Sequence, residues 1–469
     1  MSRYLSNPKF TVSVVFVAAM FMSILDSTIV NVALPSISRD FDASISAVGV
    51  VASGYLVSLA VFIPASGWLG DRFGTRRVFL LALLAFVIAS ALCGAAQSLG
   101  QLVLFRIFQG AAGGMMIPVG MAMLYRVFPQ DERVNASRVL IVPTAAAPAL
   151  GPVLGGILVD HLSWHWAFLI NVPVGMLAVA FGLRFLPRDV PGRPGAFDGL
   201  GFVLAGAGLG LAMFAISEGP AQGWGSAQIV MSGVVGLTML GLLVPWEMRH
   251  AAPLLHLRLL RERLFRRSFL ILVPSTAGFL GLLYAFPQLQ QEGLGRSAMT
   301  SGLLTFPEAI GVMAGSQVAA RLYPRLGPRK LIGGGAVGVA LGALALTRIT
   351  SATPDALVVV LMLGIGLAMS AVFMPINVVP FANISDAETS QASGIFNALR
   401  QTGAALGVAL LATTISLVGP VAIGAGGISA ANLDAYHAAF FVAAGLMLLA
   451  ALMALRIRDA DAASTFRKV

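Results

Sequence analysis

The sequence predicts an all-α integral membrane protein of fourteen transmembrane helices, and three observations lead there. Of 469 residues, 58% are apolar or aromatic and only 11% are charged, against roughly 25% charged in soluble domains. Apolar stretches close to the ~20 residues needed to cross ~30 Å of hydrocarbon recur along the whole chain, and mean hydropathy is +0.88. Basic residues gather in alternate connections, as they do in a chain that threads back and forth through a bilayer.

Span 1, at 10–34, follows Arg3 and Lys9 as a signal peptide's core would, but its apolar run is longer and no convincing cleavage site follows. Spans 2, 3 and 4 (45–66, 77–97, 101–125) are separated by a Gly- and Arg-rich turn and a short polar one. Spans 5 and 6 (139–159, 166–186) flank a turn with His161 and His165. A Gly-rich link divides spans 7 and 8 (198–217, 227–246), and spans 9 to 14 occupy 268–289, 301–321, 331–349, 355–379, 394–418 and 437–456. With both termini inside, twenty-five of the 30 Lys+Arg are cytoplasmic; only Arg39, Arg296 and Arg348 lie outside, and Arg106 and Arg400 fall within spans. The net charge of +10 therefore marks orientation and is no nucleic-acid footprint. Between Arg249 and Arg267, seven apolar residues alternate with arginines, which predicts an interfacial helix on anionic lipid. Cys93 is the single cysteine, so no intrachain disulfide forms.

The chain repeats itself. Gly67-Trp-Leu-Gly-Asp-Arg-Phe-Gly-Thr-Arg-Arg77 recurs as Ala320-Arg-Leu-Tyr-Pro-Arg-Leu-Gly-Pro-Arg-Lys330, keeping Leu69/Leu322, Arg72/Arg325, Gly74/Gly327 and Arg76/Arg329. Each copy follows the second span of a six-span set, which gives a 6+2+6 plan. The N-terminal half is 1–190, the inserted pair 191–250, the interfacial linker helix 251–267 and the C-terminal half 268–469. Parallel repeats of this kind point to a transporter with its site between the halves.

The repeated loop resembles the signature of the major facilitator superfamily, in which it latches the two halves in one access state. Gly67, Gly70 and Gly74 permit its turn, Asp71 accepts bonds, and Arg72 and Arg76 hold the cytoplasmic side. Pro324 replaces the second aspartate, so the latch is expected to be asymmetric. Leu25-Asp-Ser-Thr-Ile-Val-Asn-Val-Ala-Leu-Pro35 looks like the first-helix motif of the 14-helix drug:proton antiporters. Ala147-Pro-Ala-Leu-Gly-Pro-Val-Leu-Gly-Gly156 looks like the antiporter motif, and Ala392-Ser-Gly-Ile-Phe-Asn-Ala-Leu-Arg-Gln-Thr-Gly403 resembles the opening of span 13 in that group. Gly151, Gly155 and Gly156 allow close helix approach, and Pro152 bends span 5; the same Gly spacing recurs at Gly110 and Gly114.

Four charges lie well inside spans: Asp26, Arg106, Glu308 and Arg400, the last nearer the cytoplasmic end. An ionised group there costs about 2.5–3.5 kcal/mol even on the lenient insertion scale, so each should face a partner or a cavity. At 1.5 Å rise per residue, Asp26 and Glu308 lie about 12 and 10 Å from the outer helix ends, so with Arg106 they are expected to line one cavity. Asp26 is the expected site of the coupling proton, with Arg106 paired to it or to carbonyls; the resemblance implies the same role for Arg106. Glu308 departs from the family pattern and is expected to carry a second proton or to pair with a cationic substrate. Asn31, Gln109, Asn377, Asn397 and Gln401, with Phe286, Phe306 and Phe373, are candidate substrate contacts; helix-to-helix hydrogen bonds and lipid packing account for them as well.

No phosphate-binding G-x-x-x-x-G-K-[ST] loop, nucleophile elbow or H-E-x-x-H is present, which argues against an enzyme or an ATP-driven pump. The resemblance implies a monomeric, proton-coupled antiporter of the inner membrane that exports amphipathic or cationic drugs, with no cofactor, no metal and no nucleic-acid partner. An exporter of one endogenous metabolite or lipid, or a non-transporting receptor or scaffold, stays open.

Overall fold

A computed structural model of the chain describes residues 7–43, 45–128, 132, 136, 146–147, 150–151, 153–159, 161–188, 192, 195–250, 253–385, 388–423 and 429–465. Helix ends leave unpaired backbone amides that need acceptors, and polar residues at the span boundaries supply them. Asn7 accepts from the Lys9 amide at the start of span 1 (Pro8–Asp40), Ser98 from the Gln101 amide at span 4 (Leu99–Val127), and Ser297 from the Thr300 amide at span 10. Span 1 runs six residues past its expected end, through Pro35, so Asp26 lies near the middle of the helix. Span 2 (Ile45–Phe73) carries the motif as its last turn, and Gly74, at φ 89°, breaks it from span 3 (Thr75–Gly94). Gly327, at φ 71°, makes the same break between spans 10 and 11, which otherwise run continuously over Ala298–Leu346. A residue with a Cβ is strained at such angles, so the repeat preserves a backbone geometry as well as a sequence.

Twelve helices among the described residues are long and apolar enough to cross a membrane. One is the Gly327-broken pair, so they account for thirteen spans. The fourteenth expected crossing, span 5, lies only partly within the described residues, and those from 153 to 159 are helical. Between span 13 (Thr389–Val418) and span 14 (Leu433–Ala454), a short antiparallel hairpin pairs Val421–Ile423 with Ser429–Ala431, which the sequence did not announce.

Small residues set the helix approaches. A Cβ at Gly110 or Gly114 would overlap the Tyr55 or Leu59 carbonyl, so spans 4 and 2 pack backbone to backbone. Gly151 and Gly155 abut Thr28 and Val32, seating span 5 on span 1. Span 7 (Gly199–Gln222) packs against span 2 and span 13, one from each half: Gly206 and Gly210 abut Val61, and Trp224 donates to Thr413 Oγ1 at 2.8 Å. Span 8 (Ala227–Arg249) rests on span 7 and turns Met231 and Leu237 outward, where the bilayer is their solvent.

The stretch expected as an interfacial helix is different in kind. Leu257–Arg261 is a single 3-10 turn, and from Arg263 the chain already belongs to span 9 (Arg263–Gln288). Leu254, Leu255, Leu259, Leu264 and Phe265 are buried in protein, so the alternation separates a core face from a polar one and not lipid from water.

Candidate functional site

Span 1 brings Asp26 against spans 4 and 6 with no exposed surface, and both carboxylate oxygens are bonded. Oδ2 meets Arg106 Nη1 at 2.5 Å; Oδ1 accepts from Gln109 Nε2 and Asn171 Nδ2, each at 2.9 Å. Arg106, 1% exposed, also donates from Nη1 to Gln109 Oε1 at 2.8 Å and from Nε to the Val51 carbonyl at 3.3 Å. Its guanidinium lies 4.2 Å from the centre of the Tyr55 ring, whose hydroxyl bonds Ser23 Oγ at 3.0 Å. Ser90 Oγ accepts from Asn171 at 3.1 Å and donates to the Phe168 carbonyl at 2.9 Å. Five spans thus contribute to one ion pair whose polar neighbours compensate its burial. The i, i+3 spacing of Arg106 and Gln109 explains how both reach Asp26 from one face of span 4.

A cavity of about 60 Å³ lies between the halves, too small in this closed arrangement for a drug-sized molecule. Met20, Ser23 and Ile24 of span 1, Leu59 and Ile63 of span 2, and Gly113, Ile117 and Pro118 of span 4 form one wall; Asn397, Arg400 and Gln401 of span 13 form the other. Its end toward the first repeated loop is shut. Asp71 Oδ1 holds Arg126 at 3.0 Å, and Arg126 donates to Ser390 Oγ of the opposite half at 2.9 Å. Gly67 abuts the Gln391 backbone, and the Tyr125 hydroxyl donates to the Asn377 carbonyl. At the second copy of the loop Asp459, beyond span 14, takes the place that Pro324 vacates, accepting from the Arg329 amide at 2.9 Å beside Gly327.

Asp26, Arg106 and Glu308 were expected to line one cavity, but none of the three lines the cavity between the halves. The first two are covered by their own partners. Glu308, 3% exposed, is packed where its carbonyl abuts Gly366 of span 12 (Asp355–Ile376), and its Oε1 accepts no hydrogen bond. Of the expected substrate contacts, Asn397 and Gln401 line the cavity. Gln109 instead orients Asp26. Phe286 of span 9 is fully buried, Phe373 packs edge-on against Phe279 at 5.3 Å, and Asn377 caps span 12 and bonds the Phe373 carbonyl. Phe306, 36% exposed, and Asn31 face outward. Gly70 faces Thr75 and Val119, Arg76 donates to the Leu183 carbonyl at 2.6 Å, Arg72 is exposed, and a Cβ on Gly156 would meet nothing. Pro152 lies outside the described residues.

Tyr55, Ser90, Arg126, Ser390 and Asp459 were not singled out from sequence. Tyr55 carried a signal, as the one tyrosine in an otherwise aliphatic stretch of span 2; the others are common polar residues whose partners lie far along the chain.

Two repeated helical bundles, a buried charge network in one of them and a cavity between them define a polytopic membrane transporter. The sequence profile described as Major Facilitator Superfamily matches residues 16–408, and the chain belongs to that superfamily. It is 34% identical over 406 residues to the putative multidrug resistance protein MdtD of Klebsiella pneumoniae, covering 85% of this chain and 84% of that one. It is 31% identical over 409 residues to the multidrug resistance protein B homolog of Mycobacterium tuberculosis, covering 86% and 75%. Among solved structures, the human organic anion transporter MFSD10 shares the fold with a TM-score of 0.68 at 16% identity, covering 95% of this chain and 99% of that one. The proton:xylose symporter XylE does so with a TM-score of 0.61 at 16% identity, covering 96% and 95%.

Proposed function

We propose that the protein is a proton-driven antiporter of the inner membrane, with both termini cytoplasmic, that exports small amphipathic drugs from the cell. The observation that carries the reading is the Asp26–Arg106 pair, buried and fully bonded on spans that also wall the cavity. Asp26 lies two and three residues beyond Ile24 and Ser23, and Arg106 lies on the helix that supplies Gly113 and Ile117. Protonating Asp26 removes its charge and weakens its hold on Arg106, so spans 1 and 4 are freed to move relative to one another. Tyr55 adds a second link, stacked on Arg106 and bonded to Ser23. A proton arriving from outside therefore alters the cavity wall directly. Glu308 is the second proton carrier in this reading, on the C-terminal half. The relatives' names, which describe multidrug resistance, support export as the direction.

The test uses purified protein in liposomes with an imposed pH gradient and an amphipathic dye. Wild type should accumulate dye against its gradient and lose that accumulation when an uncoupler is added. Asp26→Asn should still equilibrate dye down its gradient without concentrating it. Normal accumulation by that variant would overturn the assignment.

A further inference from the structure

The cavity between the halves contains a cation that no acid among the described residues answers. Span 13 begins at Thr389, five residues earlier than the sequence suggests, which places Arg400 about 16 Å along the helix, deeper than the sequence reading had it. There it lines the cavity with Asn397 and Gln401. Its guanidinium has five donors in a planar fork. One of them reaches Asn397 Oδ1 at 3.0 Å, an i, i+3 contact within its own helix, and no carboxylate of the described residues forms an ion pair with it. The contrast with Arg106 is instructive. Arg106 bonds a carboxylate, an amide oxygen and a backbone carbonyl and does not line this cavity, whereas Arg400 lines it and, among the described residues, bonds one neutral acceptor.

The facing wall is apolar apart from Ser23. Met20, Ile24, Leu59, Ile63, Ile117 and Pro118 come from the N-terminal half, and Arg400, Asn397 and Gln401 from span 13. A buried cation needs a countercharge, and the opposite surface favours hydrocarbon. A molecule answering both is an amphipathic anion, with a carboxylate or sulfonate on the guanidinium and an aryl or alkyl body against spans 1, 2 and 4. We infer that Arg400 is the anion-recognising group of the cargo site, and that the favoured cargo is a small amphipathic anion. This rests on the export reading above and gives the cargo's charge, which the expectation of a cation paired to Glu308 would have reversed. A guanidinium fork matches a carboxylate bidentately, which makes Arg400 a specificity-determining residue as well as a countercharge.

The test is equilibrium binding and needs no transport. Purified protein in detergent is titrated calorimetrically with three probes of one shape: naphthoate, the neutral naphthamide and naphthylmethylammonium. Wild type should bind naphthoate about tenfold or more tightly than naphthamide, with the ammonium weakest. Arg400→Gln should erase that preference while leaving naphthamide affinity within about twofold, which shows the apolar wall intact; Arg400→Lys should restore part of it. The inference is overturned if wild type binds naphthamide or the ammonium as well as naphthoate, if it binds none of them, or if Arg400→Gln keeps the preference. Displacement of naphthoate by an equal concentration of chloride would mark a simple ion site and overturn the cargo assignment. Because binding is read apart from flux, loss of proton-driven accumulation with the preference intact would count against the antiporter reading alone.

Discussion

The two halves share a plan and a turn geometry, yet they treat charge in opposite ways. In the N-terminal half the intramembrane acid and base are bonded to each other and to Gln109, Asn171 and the Val51 carbonyl, closed off from the cavity between the halves. In the C-terminal half they are kept apart: Glu308 Oε1 has no donor among the described residues, and Arg400 lines the cavity between the halves. The repeated loop diverges likewise, since Asp71 closes one copy through Arg126, while the other borrows Asp459 from the tail. The scaffold fixes helix geometry, and the substitutions laid on it pair the intramembrane charges in one half and separate them in the other.

The largest expected effect tests the sealed pair. Arg106→Ala leaves Asp26 buried and unpaired and should destabilise the protein by about 3–5 kcal/mol, measured by denaturant unfolding in micelles. Glu308→Gln should change stability by no more than about 1 kcal/mol, since that carboxyl forms no ion pair among the described residues; equal losses from the two would erase the contrast. Gly110→Leu drives a side chain into the Tyr55 carbonyl and should cost about 1–3 kcal/mol, with loss of flux, because the spans that carry the pair are forced apart. Asp71→Asn weakens a partly exposed contact of about 0.2–1 kcal/mol. On a Cys93→Ala, Ser23→Cys background, maleimide labelling from the cytoplasmic side should then speed up by a factor of about 1.5 to 5. Asp459→Asn, acting on the half that does not bridge to Ser390, should change that labelling less; a larger effect would reverse the roles given to the two loops.

The crossings, the repeat and the intramembrane charges were legible because hydrocarbon thickness and the cost of buried charge leave plain marks in a sequence. Asp26 and Arg106 stood out as charges in apolar runs, and they meet. Depth was read less well. Pro35 did not end span 1, because a membrane helix can carry proline where neighbours repair the ladder, and Thr389 to Ser393 look polar although they are the first helical turn of span 13. That shift sets Arg400 deeper along its helix than the sequence reading had it, in the cavity wall. The leucines between Arg249 and Arg267 gave the right alternation and the wrong partner, since an apolar face reads the same whether lipid or protein covers it. Gln109 read as a cargo contact for a similar reason: an amide shows no preference between a ligand and a neighbouring carboxylate until the helices are packed.

The central claim is that the coupling proton resides on Asp26. Protons released on adding naphthoate to purified, weakly buffered protein test it most directly, read with a pH indicator for wild type, Asp26→Asn and Glu308→Gln. The account predicts release from wild type, none from Asp26→Asn, and at most a partial reduction in Glu308→Gln. Release from Asp26→Asn equal to that of wild type would contradict it.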